Sequence, residues 1–259
     1  MINELNRIPK RLLIITVAGI SERFSQSLGK KHLKCIYYYN HFNESLLYHM
    51  LHQNIDFDKY IIVGGFMYKE LESIIKLYFT DYIDKIILTK NEKYREYGSG
   101  YSLYMGLQKA LEFDFDEIVF AEGDLFVDTD SFHKVIESDK NVITCNQEPI
   151  LANKAVAFYY DEHYGIHYIY DTGHYSFQIR EPFLGIFNSG QIWKFNQPSR
   201  VRNVYNELNY EWKGTNLLFI QKYFQGLSQN DYDIIQFKQW INCNTIADFN
   251  RIVEINGEN

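Results

Sequence analysis

Short apolar-rich runs at residues 12–18, 60–63, 83–88 and 117–121 constrain this chain's fold more than any other feature. Strands buried on both faces read this way, because regular polar alternation arises only where one face of a sheet meets water. Residues 45–54, 69–79 and 102–111 lie between these runs and read as helices. In the first of them Leu46, Leu47, Met50 and Leu51 share one helical face. Strand and helix thus alternate through the first half, which predicts an α/β fold with a mostly parallel sheet and helices on both faces. In such sheets ligands bind in the crevice beyond the carboxyl ends of the strands.

The pattern changes after about residues 131–137. Residues 142–145, 155–160, 167–170 and 177–179 read as short strands. Turn chemistry at 161–165 and 171–173 separates them, so an antiparallel insertion is expected here. Residues 186–187 are expected to rejoin the main sheet. Helices at 201–208 and 217–225, a strand at 234–237 and a last helix at 246–255 complete the reading. Four prolines and no Ser/Gly-rich stretch give no linker, so residues 1–259 are expected to form one domain, with 1–10 as a polar extension.

Several function classes fall away on composition. The formal charge of −7 argues against a nucleic-acid partner, although it leaves room for a local basic pocket. The sequence holds no 18-residue apolar run and the opening MINELNRIPKR has no signal-peptide core, so no membrane association is expected. Cys35, Cys145 and Cys243 show no CxxC spacing; they suggest reduced thiols and a cytoplasmic location.

Two strand ends carry candidate chemistry. The first run opens into Ala18-Gly19-Ile20-Ser21, followed by Arg23 and then Lys34. Small residues at a strand end let backbone N–H groups approach a phosphate, and the two cations would meet its charge. An ordinary strand-to-loop turn with two solvated cations fits the same residues, and this segment alone does not decide. The fourth run ends in Glu122-Gly123-Asp124, where Asp124 could hold a hard cation bound to phosphates. Glu122 is left without a role, as a residue that could equally face solvent.

Taken together, these segments resemble the nucleotidyltransferases that activate sugar phosphates and phosphocholine. VAGISERF followed by LKCI is similar to that family's AAGxGxR…PKxL signature. NEKYREYGSGYSLYMGL resembles the family's passage from a strand-end Asn into a Ser-Leu helix start. FAEGDLF falls where the family keeps a metal-binding Asp, and WINCNTIADF resembles its closing segment. The likeness is greatest to bacterial phosphocholine cytidylyltransferases. It implies a Rossmann-like sheet, with a nucleotide-binding half at 1–140 and an acceptor-binding half at 141–259.

Position by position, the resemblance implies that Ala18, Gly19, Ile20 and Ser21 line the base and phosphate loop, and that Gly100 and Ser102 sit near the nucleoside. Arg23 would contact the departing phosphates, and Lys34 would bridge α-phosphate and acceptor. Asp124 would ligate Mg²⁺, with Asn244 in the place of a second ligating carboxylate. Glu181 and Glu211 are acidic candidates for acceptor binding. The implied activity moves a nucleotidyl group, CMP being favoured, from an NTP to a phosphocholine-like or sugar 1-phosphate acceptor, with pyrophosphate released. The family link points to cell-surface polysaccharide precursors. The sequence leaves the oligomeric state open.

Three departures stand against full likeness. Ser21 replaces a glycine, Leu33 a proline and Asn244 an acid. They keep open a binding module that has lost catalysis, and a metal-dependent glycosyltransferase of similar build is a further alternative. His163, His167 and His174 lack a cysteine pair and read as strand or surface residues, and His49 and His52 as helix residues. Tyr37–Tyr39, Trp193, Trp212 and Trp240 could cage a choline-like cation, or simply pack the core.

Overall fold

The computed structural model describes residues 8–152, 156–169 and 176–257. Strands β1 (Arg11–Val17), β2 (Lys59–Gly64), β3 (Ile86–Lys90) and β4 (Glu117–Glu122) are parallel and stand in the order β4-β1-β2-β3. Helices α1 (Glu22–Leu28), α2 (Leu46–Leu51), α3 (Tyr68–Tyr78) and α4 (Ser99–Ala110) intervene. Then follow β5 (Leu125–Val127), α5 (Thr129–Glu137), β6 (Asn141–Asn146), β7 (Ala157–Asp161), β8 (Ile166–Ile169) and β9 (Phe183–Phe195). Helices α6 (Pro198–Leu208) and α7 (Leu217–Phe224), strands β10 (Tyr232–Gln236) and β11 (Trp240–Asn242), and α8 (Ile246–Gly257) finish the chain.

One nine-stranded sheet runs through both halves in the order β10-β6-β9-β4-β1-β2-β3, with β7 and β8 added at β9. β1 shows why its sequence reads as a continuous apolar run. Leu12 and Ile14 face one layer, packed with Leu103 and Leu107 of α4 and Phe219 and Tyr223 of α7. Leu13, Ile15 and Val17 face the other, against Met50 of α2, Leu71 of α3 and Phe132 of α5. A strand covered on both faces has no polar positions to offer.

The second half is built on β9. It runs antiparallel to β4, β6 and β7, and the register with β6 shifts between Ile143 and Cys145. Gln191 takes a left-handed φ of 56° opposite that shift, so the long strand bends and joins the insertion to the parallel sheet. The expected contact at residues 186–187 is therefore part of a 13-residue strand.

Three local expectations are corrected. Residues 35–39 do not form one extended segment: Lys34–Ile36 form a 3₁₀ turn with Cys35 and Ile36 buried, and the chain returns to extended angles at Tyr37. The stretch between Ser21 and Lys34, expected as loop, contains α1. Residues 177–179 form no strand. The turn at 171–173, His174, most of the extension at 1–10 and the outer residues of the strands at 155–160 and 167–170 lie outside the described residues. Among the described residues, no helix is long and apolar enough to cross a membrane.

Candidate active site

The carboxyl ends of β1 and β4 lie side by side, with Thr16 paired to Glu122. Beyond them the chain must turn without filling the gap between the strands. Gly123 allows this: its N–H donates to Thr16 O at 3.0 Å, and a Cβ there would stand 2.9 Å from that same oxygen. Asp124 is thereby held at the sheet rim. Its carbonyl accepts from Cys243 N–H at 2.8 Å, which brings the closing segment over the site.

On the other strand, Ser21 adopts φ 53° and ψ 36°, left-handed values that an L-residue tolerates at a cost. This is the position expected to miss a glycine's freedom. The Ser21 hydroxyl also accepts from Lys34 N–H at 3.3 Å, tying the start of the loop to its end. Phe24 of α1 packs with Tyr37, Phe126, Ile241 and Phe249, so one small core fixes both the loop and the closing segment.

These supports bring the predicted charged residues together. Lys34 Nζ lies 2.6 Å from Asp124 Oδ2 and donates to Asn244 Oδ1 at 3.2 Å. An Arg23 guanidinium nitrogen donates to the same Asn244 oxygen at 2.9 Å. Glu122 stands in the same group, with Oε1 accepting from Asn216 Nδ2 at 2.7 Å. Burial and the nearby Asp124 charge push the Glu122 carboxyl up to about 7.

Two cavities meet at Glu122 and Asp124. The first, about 450 Å³, is lined by Ala18, Gly19, Ile20, Ser21, Lys34 and Ser102 among others. Asn91 Nδ2 donates to the Ser102 hydroxyl at 3.0 Å on its far wall. The second, about 690 Å³, is lined by Arg23, Asn188, Gln191, Trp240, Asn244 and Asp248 among others. Arg23 thus opens onto the second cavity and reaches Lys34 only through Asn244.

Several candidates stand elsewhere. Gly100 lines neither cavity; a Cβ on it would meet the carbonyl oxygens of Trp212, Gly214 and Thr215 at 2.8–2.9 Å, so its smallness serves packing. Glu181 accepts from the Tyr159 hydroxyl at 2.7 Å beside His167, and Glu211 faces Lys222 at 4.0 Å. Neither lines either of the two cavities. His167 Nε2 bonds Asp161 Oδ2 at 2.8 Å. Trp193 and Trp212 are buried in the core and Tyr37 packs on Phe24 and Phe249, which leaves Trp240 as the aromatic of that set lining the second cavity. Burial pushes the thiols of Cys35 and Cys243 up to about 12, so neither offers a thiolate.

A divalent cation fits one part of this arrangement. Asp124 Oδ1 is buried without a hydrogen-bond partner, an arrangement that costs free energy unless a ligand completes it. Among the described residues no group of three His, Cys, Asp or Glu side chains could hold a metal alone. Mg²⁺ does not need one, since it keeps several positions for water and substrate oxygens.

Residues 30–256 match the family described as a domain of unknown function, DUF6564. The chain belongs to this family. No curated protein matches it in sequence. In structure, this DUF6564 chain is similar to the inositol-1-phosphate CTP transferase from T. maritima, at 15% identity and a TM-score of 0.66, with 96% of this chain and 98% of that one covered. It is also similar to the CTP:phosphocholine cytidylyltransferase from Streptococcus pneumoniae, at 13% identity and a TM-score of 0.64, with 95% and 99% covered. A third is the nucleoside-diphosphate-sugar pyrophosphorylase from Vibrio cholerae RC9, at 16% identity and a TM-score of 0.59, with 94% and 99% covered. The DUF6564 fold is therefore the Rossmann-like fold of these nucleotidyltransferases.

Glu122 is the residue that the sequence left unassigned. It follows the apolar run 117–121 directly, and a carboxylate ending a doubly covered strand was the available signal.

Proposed function

We propose that this chain transfers a nucleotidyl group from an NTP, CTP being favoured, to a small phosphorylated acceptor and releases pyrophosphate. The observation that carries the reading is the meeting of two cavities at Asp124, with Lys34 at 2.6 Å across the junction. A transferase that joins two phosphorylated substrates needs one chamber for each and a cationic group at the point of contact. The structures similar to this one, named as CTP transferase, cytidylyltransferase and pyrophosphorylase, support the same reading.

The NTP would enter the first cavity, with its phosphates along the loop from Ala18 to Ser21. The acceptor phosphate would lie on the side of Arg23 and Asn244. An acceptor oxygen attacks the α-phosphorus in line; the bond from that phosphorus to the bridging oxygen breaks, and its electron pair leaves on pyrophosphate. Lys34 would leave Asp124 to hold the α-phosphate and the acceptor phosphate together, offsetting their repulsion. Mg²⁺ held by Asp124, when bound, would supply further positive charge to the phosphate oxygens.

The test is a pyrophosphate assay with each common NTP against sugar 1-phosphates, cyclitol phosphates and phosphocholine. The expected result is pyrophosphate dependent on both substrates, with Lys34→Ala and Asp124→Ala each lowering it by about a hundredfold or more. A nucleoside diphosphate or monophosphate product would point to the glycosyltransferase alternative. NTP binding without turnover across the panel would identify a binding module.

A further inference from the structure

The site has one carboxylate fewer than expected at Asn244, and the surroundings of Asn244 argue against its acting as a metal ligand. Its Oδ1 accepts from two cationic donors, Arg23 at 2.9 Å and Lys34 at 3.2 Å. Its Nδ2 donates to Asn242 Oδ1 at 2.6 Å, and its backbone N–H donates to Asp248 Oδ2 at 3.0 Å. A carbonyl oxygen has two lone pairs, and both are taken by positive groups. A divalent ion at that oxygen would sit beside two like charges.

Glu122 is placed otherwise. It lines both cavities, as Asp124 does. Its orientation is set by Asn216, an amide only 2% exposed, which bonds one carboxylate oxygen at 2.7 Å. Carboxylates that hold metals are commonly fixed in this way by an outer hydrogen bond. Asp124 Oδ1 is buried and unpartnered at the same junction.

We infer that Glu122 supplies the second carboxylate toward the divalent cation, while Asn244 anchors the two phosphate-binding cations. The acidic charge has in effect moved from the closing segment to the end of β4. This rests on the nucleotidyltransferase reading for the presence of the cation, and it is tested without turnover.

The experiment titrates the full chain with Mn²⁺ and follows free Mn²⁺ by electron paramagnetic resonance, with and without CTP. Glu122→Gln and Asp124→Asn are each expected to weaken Mn²⁺ binding about tenfold or more. Asn244→Ala is expected to stay within about threefold of wild type for Mn²⁺ while weakening CTP, because it releases the anchored cations. Should Glu122→Gln unfold, as circular dichroism would show, Asn216→Ala takes its place and is expected to weaken Mn²⁺ while keeping the carboxylate. Wild-type Mn²⁺ affinity in the folded Glu122 or Asn216 variant would overturn the inference. So would a loss in Asn244→Ala matching that in Asp124→Asn, or an absence of Mn²⁺ binding by the wild type. Failure of the functional reading would look different: Mn²⁺ binds, but no NTP alters the titration and no pyrophosphate forms.

Discussion

At the residue scale, the site depends on two backbone positions as much as on its charges. Gly123 lets Asp124 cross beside the end of β1; a methyl group there would press on Thr16 O and the Val17 side chain. Gly123→Ala is expected to cost about 1–3 kcal/mol in urea unfolding and to lower pyrophosphate formation together with stability. Ser21 presents the opposite case, a side chain held in left-handed backbone. Ser21→Val is expected to lose about 1–2 kcal/mol, since a β-branched residue is worse there, whereas Ser21→Gly should remain near wild type. Lys34, Arg23 and Asp124 stood out only when the segments resembling the family were taken together, since two cations or a Gly-Asp pair after a strand also fit an ordinary turn. The structure brings all three to one cluster around Asn244. Asn244 was legible only as a missing acid. Its hydrogen bonds to two cations depend on a contact with residues more than two hundred positions away, which no local pattern records.

At the element scale, the parallel strands were readable because burial on both faces erases polar positions. α1 was not readable, as its seven residues bury only Phe24 and offer no apolar stripe. The bend of β9 was likewise hidden: its polar Asn188-Ser189-Gly190-Gln191 stretch offers no apolar run to mark a strand, yet it is buried within the sheet. Contacts between elements also carry a pH dependence. His49 of α2 stacks on Phe126 of β5, and its Nε2 contacts Val127 O at 2.8 Å. Burial lowers its pKa from the ordinary value. A folded-state value below the unfolded one means that the unfolded chain takes up the proton first as pH falls. The His49 contribution is therefore complete above about pH 6.5 and declines below it. A His49→Asn variant should show a flatter fall in melting temperature between about pH 7 and 5 than wild type, measured by thermal scans across that range.

At the scale of the whole molecule, a buried charge joins the two halves. Lys194 of β9 is 1% exposed and lies 2.8 Å from Glu117 of β4, which also pairs with Arg11 of β1. Its ammonium also donates to Ile136 O at the end of α5, at 3.0 Å. Removing one partner from a buried pair leaves unmatched polar groups behind, so Lys194→Met is expected to cost about 3 kcal/mol in urea unfolding despite its good shape. Activity at low temperature should change little, because the cluster lies at the opposite end of β4 from Asp124.

The bent strand has one more consequence. β9 contributes Asn188 and Gln191 to the chamber beside Arg23, yet none of its residues lines the chamber that holds the Ala18–Ser21 turn. If the two chambers take acceptor and NTP as proposed, choice of recipient and use of the energy-rich donor draw on different pieces of chain, apart from the shared Glu122 and Asp124. On that reading a lineage could exchange one while inheriting the other unaltered, and grafting only this ribbon between homologues is expected to redirect the product without rebuilding the engine.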